Sequence, residues 1–242
     1  MDNEYASEIA RRLDALRASI AQAASQAGRN ADEIKLIAVS KTQPPEAVAA
    51  AVAAGQRVFG ENTVQDALTK IPQFAGQNLE WHFIGHLQSN KVKFIPGNFS
   101  WVHSLDSLRL AERLSRIAQE KSVAVQTLVE VNISRDPAKH GVAPEAAEAL
   151  LEELIAAKLP GIALRGFMTI GPQSVEIPAL RAAFSALREL RDRCRHRYGL
   201  DKFSELSMGM SSDYVEAILE GATMVRLGTA VFGDRVYKTF DR

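Results

Sequence analysis

Leu36-Ile37-Ala38-Val39-Ser40-Lys41, followed at once by Thr42-Gln43-Pro44-Pro45, is the stretch from which the fold is read. A short apolar run ending in turn-forming residues reads as a buried strand whose last residue reaches a sheet's carboxyl edge. Lys41 then has its stem among apolar side chains and its amine at an open mouth. Burial disfavours the charged form of a lysine, and a neutral amine attacks carbonyls to form a Schiff base. The competing reading is a lysine that snorkels to solvent or pairs with Glu61, as strand-end lysines commonly do.

The same alternation continues outward from this run. Upstream, Ile9, Leu13, Leu16 and Ile20 recur at helical spacing, and Gly28-Arg29-Asn30 ends that helix. Strands are predicted over 35–40, 57–60, 80–84, 100–104, 124–133, 162–168, 204–207 and 223–227. Helical patterns lie between them near 45–54, 63–70, 88–94, 106–120, 144–157, 175–198 and 212–220. Strands alternating with helices imply parallel pairing through right-handed crossovers. Eight strands in 242 residues predict an α/β fold, a closed (β/α)8 TIM barrel with an extra N-terminal helix, in one domain over 1–242. A doubly wound open sheet would leave two or three of the strands misassigned.

Bulk composition narrows the function classes. Hydrophobic residues make up 46% of the chain, enough for one sizeable core, and 29 basic side chains balance 29 acidic ones. Zero net charge gives no support to a nucleic-acid or acidic-membrane partner. Cys194 is the single cysteine, which rules out an internal disulfide and fits a reducing compartment. Met1-Asp2-Asn3-Glu4-Tyr5 is unlike a secretory signal, and no stretch has the length of a membrane span. The expectation is a soluble, cytoplasmic monomer.

A barrel brings its strand ends to one mouth, where active sites form. Ser207-Met208-Gly209-Met210-Ser211-Ser212-Asp213 passes from a strand into a helix, and Gly228-Thr229 follows the last strand. Small residues let backbone N–H groups converge, and hydroxyls add donors, so these two loops read as a phosphate site. Taken alone, Ser211-Ser212-Asp213 reads first as a helix cap, and it is the pairing with Gly228-Thr229 that moves the phosphate reading ahead. Arg226 alternates with Val225 and Leu227 on a predicted strand, so its side chain is expected to reach toward the lumen as a permanent cation. It reads either as the partner of Glu61 or Glu130 or as a donor to a ring nitrogen of a bound heterocycle. His82 and His103 sit on predicted strands, where histidines are mostly hydrogen-bonded core residues. His86 and His140 fall in loops and His196 on a charged helix. No pair has metal-ligand spacing, so no metal is expected.

These motifs resemble the pyridoxal-phosphate homeostasis protein family, single-domain relatives of the alanine racemase barrel. The matching stretches are AVSKTQP at 38–44, FGENTVQDA at 59–67, WHFIGHLQSNK at 81–91 and HSLDSLRLAERL at 103–114. They continue with VNIS at 131–134, KHGV at 139–142, LRGFMTIGP at 164–172 and LSMGMSSDYVEAILEGATMVRLGTAVFG at 206–233. The resemblance implies pyridoxal 5′-phosphate (PLP) held as a Schiff base on Lys41. It also implies a phosphate held by Ser211, Gly228 and Thr229, with Arg226 facing the pyridine nitrogen and Asn62 near the cofactor. Met210 and His82 are further candidates for lining the ring. Thr63 stands where many relatives carry an aromatic residue, and His86 replaces a proline found in part of the family.

The role implied is to carry or buffer PLP in vitamin B6 and amino-acid homeostasis, with apo PLP-dependent enzymes as recipients. An arginine opposite the pyridine nitrogen weakens the cofactor as an electron sink. Racemases of this geometry add a second acid–base residue from a further β-domain, for which the segment after Gly233 leaves no room. The rivals are a true amino-acid racemase and an aldolase-type barrel in which Lys41 attacks a sugar-phosphate ketone without PLP.

Overall fold

In a computed structural model, residues 3–173 and 176–233 are described. Eight parallel strands close into a barrel in sequence order. They are β1 (Lys35–Val39), β2 (Val58–Glu61), β3 (Glu80–Phe83), β4 (Trp101–Leu105), β5 (Val125–Glu130), β6 (Ile162–Met168), β7 (Glu205–Ser207) and β8 (Met224–Leu227). The barrel closes through β1 and β8, with Lys35 opposite Met224 and Ala38 opposite Leu227. The helices are α1 (Asn3–Gln26), α2 (Pro45–Ala53), α3 (Val64–Lys70), α4 (Leu108–Glu120), α5 (Pro144–Ala156), α6 (Ile177–Tyr198), α7 (Tyr214–Leu219) and α8 (Thr229–Phe232). The predicted start of the sixth pattern, Val175, lies outside the described residues.

Two apolar layers follow from the period-2 alternation of the strands. Side chains facing outward, such as Phe59, Phe83 and Val129, pack against the helices in one large cluster. Ile37, Trp101, Leu128, Met168 and Met224 face inward and fill the lumen as a separate cluster. The lumen is thus a packed core rather than a pore, as barrels of this kind require. Ile9, Leu13, Leu16 and Ile20 of α1 are all buried, and this helix packs against α2, α7 and α8.

Two predicted elements are corrected and one helix is added. The run over 124–133 leaves the ladder after Glu130, because Asn132 donates to the carbonyls of Asp136 (2.8 Å) and Lys139 (3.3 Å) and folds the chain into a turn. The pattern near 88–94 forms a 3₁₀ helix over Ser89–Phe94, ahead of Pro96-Gly97. The four-residue α8 was not predicted at all. It is bounded by Gly228 and by Gly233, whose φ of 83° suits glycine.

Candidate active site

A cavity of about 350 Å³ opens at the carboxyl ends of the strands. Lys41, Asn62, Met210, Ser211, Arg226, Gly228 and Thr229 line it, with Val39, Ile84, Met168 and Ile170 as its apolar wall. Seven of the eight residues expected at a cofactor are therefore brought together. His82 is not among them: it is fully buried in the lumen, two residues below Ile84 on β3. A larger groove of about 620 Å³ lies at the opposite end of the barrel, beside Leu79, Ser100 and Ala124. No ionisable side chain lines it, so we place the chemistry at the mouth.

Lys41 stands half-buried just past β1, and the backbone on both sides of it is clamped. The Ser40 carbonyl accepts from Lys70 Nζ (2.7 Å) and from the Gln43 N–H (3.0 Å). Asp66 accepts from the Thr42 N–H (2.8 Å), holding Thr42 in the left-handed region at φ 63°. Lys70 ties these contacts together. Its buried ammonium also donates to Glu61 Oε1 (2.8 Å) and Asp66 Oδ2 (2.9 Å), using all three of its protons. Glu61 is thereby engaged by Lys70 and by the Ser40 hydroxyl (2.7 Å). Burial raises its pKa, while the bonds from Lys70 and Ser40 oppose the rise. Lys70, Asp66 and Ser40 were not singled out from sequence. The available signal was Lys70 four residues after Asp66 on a predicted helix, close to a strand-end glutamate.

The opposite wall is built from the loops after β7 and β8. Gly209 has φ 95°, and a Cβ there would lie 2.7 Å from the Ala217 Cβ, so only glycine lets α7 approach this closely. Asp213 accepts from the Met210 N–H and closes the turn, which leaves the neighbouring Ser211 hydroxyl for the cavity side. Ser211 Oγ also accepts from the Ala230 N–H (3.2 Å), stitching the two loops together. Asp213 stands at the N-cap position of α7 but makes no side-chain cap bond to that helix, and Ser211 lines the cavity. At Gly228 the nearest atoms a Cβ would meet belong to Val39, at an ordinary 3.6 Å, so what glycine leaves there is room.

Arg226 is buried, donating to Ser207 Oγ (2.6 Å) and to the Thr169 carbonyl (2.9 Å). No ion pair joins it to Glu61 or Glu130 among the described residues. Burial lowers its pKa to about 10, so it remains a cation and donor at neutral pH. Glu130, at the mouth end of β5, is buried with Oε2 lacking a hydrogen bond. Burial, together with the nearby Asp106 charge, pushes its carboxyl up to about 7. His86 and His140 stack above the strands with ring centroids 3.9 Å apart. Among the described residues no group of three or more metal-ligating side chains is present, and no helix is long and apolar enough to cross a membrane.

A closed parallel barrel with a lysine just past its first strand and a cavity at the strand ends defines a class: residues 12–236 match the family model described as alanine racemase, N-terminal domain. The chain is 46% identical over 96% of its length to the pyridoxal phosphate homeostasis protein of Pseudomonas aeruginosa, covering 97% of that protein. It is 42% identical over 95% of its length to that of Vibrio cholerae, again covering 97%. The solved structure of PipY from Synechococcus elongatus with PLP bound superposes with a TM-score of 0.82 at 38% identity, over 93% of this chain and 100% of that one. The chain belongs to the pyridoxal phosphate homeostasis protein family.

Proposed function

We propose that this chain binds PLP in the mouth cavity, tethered as a Schiff base on Lys41, and carries or buffers it for vitamin B6 and amino-acid homeostasis. The observation that carries this reading is the convergence of the Lys41 amine, the Ser211 and Thr229 hydroxyls and the Arg226 guanidinium on one 350 Å³ space. That volume lies within the range of small-molecule sites, roughly 300–1,000 Å³. PLP supplies an aldehyde that condenses with amines and a ring that accepts electrons from amino-acid substrates. Ser211 and Thr229 would donate to its phosphate, Gly228 leaves room for it, and Asn62 and Met210 flank it. Arg226 would donate to the ring nitrogen and, holding its own proton, would leave that nitrogen unprotonated. A poor electron sink suits storage and release better than rapid turnover of amino acids.

The relatives support the reading by name, and PipY supports it through its PLP-bound structure. In this reading a cytoplasmic monomer of one domain hands PLP to apo-enzymes. The purified chain should show a visible absorption band after PLP addition and lose it on borohydride reduction. A chain that stays colourless and retains no added PLP would exclude both the carrier and the racemase. Rapid deuterium exchange at the α-carbon of alanine would favour the racemase.

A further inference from the structure

Behind Arg226, a file of polar side chains that cofactor binding leaves without a role joins the mouth to the far end of the barrel. Arg226 Nη1 donates to Ser207 Oγ, and that oxygen lies 2.9 Å from His103 Nδ1. His103 Nε2 lies 2.7 Å from His82 Nδ1, and His82 Nε2 lies 2.7 Å from Glu80 Oε1. Glu80 Oε1 also receives Lys35 Nζ at 2.6 Å. Ser207, both histidines and Arg226 are buried, whereas Glu80 and Lys35 are about one-third exposed, at 35% and 33%.

We infer that this file is a one-way hydrogen-bonded chain from Arg226 to Glu80, and that Glu80 is a positioning residue for the guanidinium at the mouth.

The direction follows from its two ends. A guanidinium only donates, and an ionised carboxylate only accepts. Glu80 is ionised: burial raises its pKa, but the bonds from His82 and Lys35 hold it at about 2. His82 must therefore present Nε2–H to Glu80, which leaves Nδ1 of the neutral ring as an acceptor. His103 then presents Nε2–H to His82 and accepts at Nδ1. Ser207 Oγ accepts a hydrogen bond from Arg226 with one lone pair and donates its O–H to His103 Nδ1. Every link is satisfied once, with both histidines neutral and in the same tautomer.

A reversed order through His103 and Ser207 requires a doubly protonated His82. Burial opposes that charge at both rings. Lys35 opposes it at both, Arg226 opposes it at His103, and among the facing charges only Glu80 favours it, at His82. Trp101 stacks on the His82 ring, with centroids 5.3 Å apart and the planes nearly parallel.

Two consequences follow for Arg226. Its Nη1 and Nη2 are pinned, by Ser207 and by the Thr169 carbonyl, so its orientation at the mouth is set from behind. In addition, every group behind it donates away from the mouth. The chain can draw hydrogen-bond density toward Glu80, but it cannot pass a proton up to a ring nitrogen. The histidine assignment stands without any cofactor, while the consequence for the ring nitrogen rests on the PLP reading.

Nitrogen-15 imidazole spectra of the full chain near neutral pH test the direction. His82 and His103 should both appear as neutral Nε2–H tautomers, and an Nδ1–H tautomer or an imidazolium at either overturns the chain. Glu80→Gln, which keeps an acceptor, should preserve both tautomers. Glu80→Leu should lose the single tautomer at His82 and speed solvent exchange of the Arg226 guanidinium protons. It should also shift the pH titration of the visible band in the PLP-loaded chain. A folded Glu80→Leu variant with parental exchange and parental titration overturns the positioning role. If the parent takes up no PLP, the cofactor reading fails, while the histidine and guanidinium spectra still decide the chain; a Glu80→Leu variant that does not fold leaves the parent's spectra to do so.

Discussion

Lys70→Met tests the clamp behind Lys41. The substitution nearly conserves volume while removing three charge-assisted bonds, to the Ser40 carbonyl, Glu61 and Asp66. Lys70 and Glu61 are 1% and 0% exposed, so solvent cannot replace the lost partner. Asp66 is 28% exposed and rehydrates, and the Ser40 carbonyl keeps the Gln43 N–H. The cost is concentrated on Glu61, whose Oε2 already lacks a hydrogen bond and whose Oε1 would keep only Ser40. Breaking a buried pair from one side costs about 3–5 kcal/mol. With a urea m-value of about 3 kcal/mol/M, the unfolding midpoint should fall by at least about 1 M. The double variant Lys70→Met/Glu61→Gln, with no stranded charge, should recover most of that loss. A single variant that loses less than about 1 kcal/mol, or a double variant no better than the single, would refute the reasoning.

Three further outcomes are expected. Thr229→Val removes one anion donor at similar volume and should weaken PLP retention about tenfold or more, as for a hydrogen bond to a charged group worth ~1.5–3 kcal/mol, with the melting curve unchanged; equilibrium dialysis reads it. Lys41→Ala should abolish the reducible visible band, while dialysis still detects cofactor held by the phosphate contacts. Glu130 titrates at about 7 in the folded chain against 4.5 in the reference state, so the folded chain binds that proton more tightly. Its contribution is therefore favourable at low pH and fades as pH rises from about 4.5 to about 7, by on the order of 3 kcal/mol at about 1.4 kcal/mol per pH unit. Glu130→Gln should be more stable than the parent at alkaline pH and should flatten this stretch of the stability–pH curve in urea titrations.

The barrel was legible because its strands are short, buried on both faces and punctuated by turn residues. The run from Leu36 to Lys41 and the run from Met224 to Leu227 are examples that share one ladder. The cavity wall was legible for a related reason: strand ends must converge, so Lys41, Arg226 and Gly228 had to meet near one another. What escaped was long-range polar pairing, which leaves no periodic trace. Lys70 read as one more charge on a helix, yet it is buried against a carbonyl 30 residues upstream. His82 has the alternation of a mouth residue but sits one layer too deep, where His103 and Glu80 claim both ring nitrogens. The apolar Val131 and Ile133 extended the β5 prediction because side-chain amide turns such as that of Asn132 compete with the ladder only when the backbone partners are in reach.

Borohydride trapping of PLP on the intact chain, followed by peptide mass spectrometry, examines the proposed tether itself. The reduced phosphopyridoxyl group should be found on the peptide containing Lys41. Its recovery on any other lysine with Lys41 unmodified would contradict the assignment.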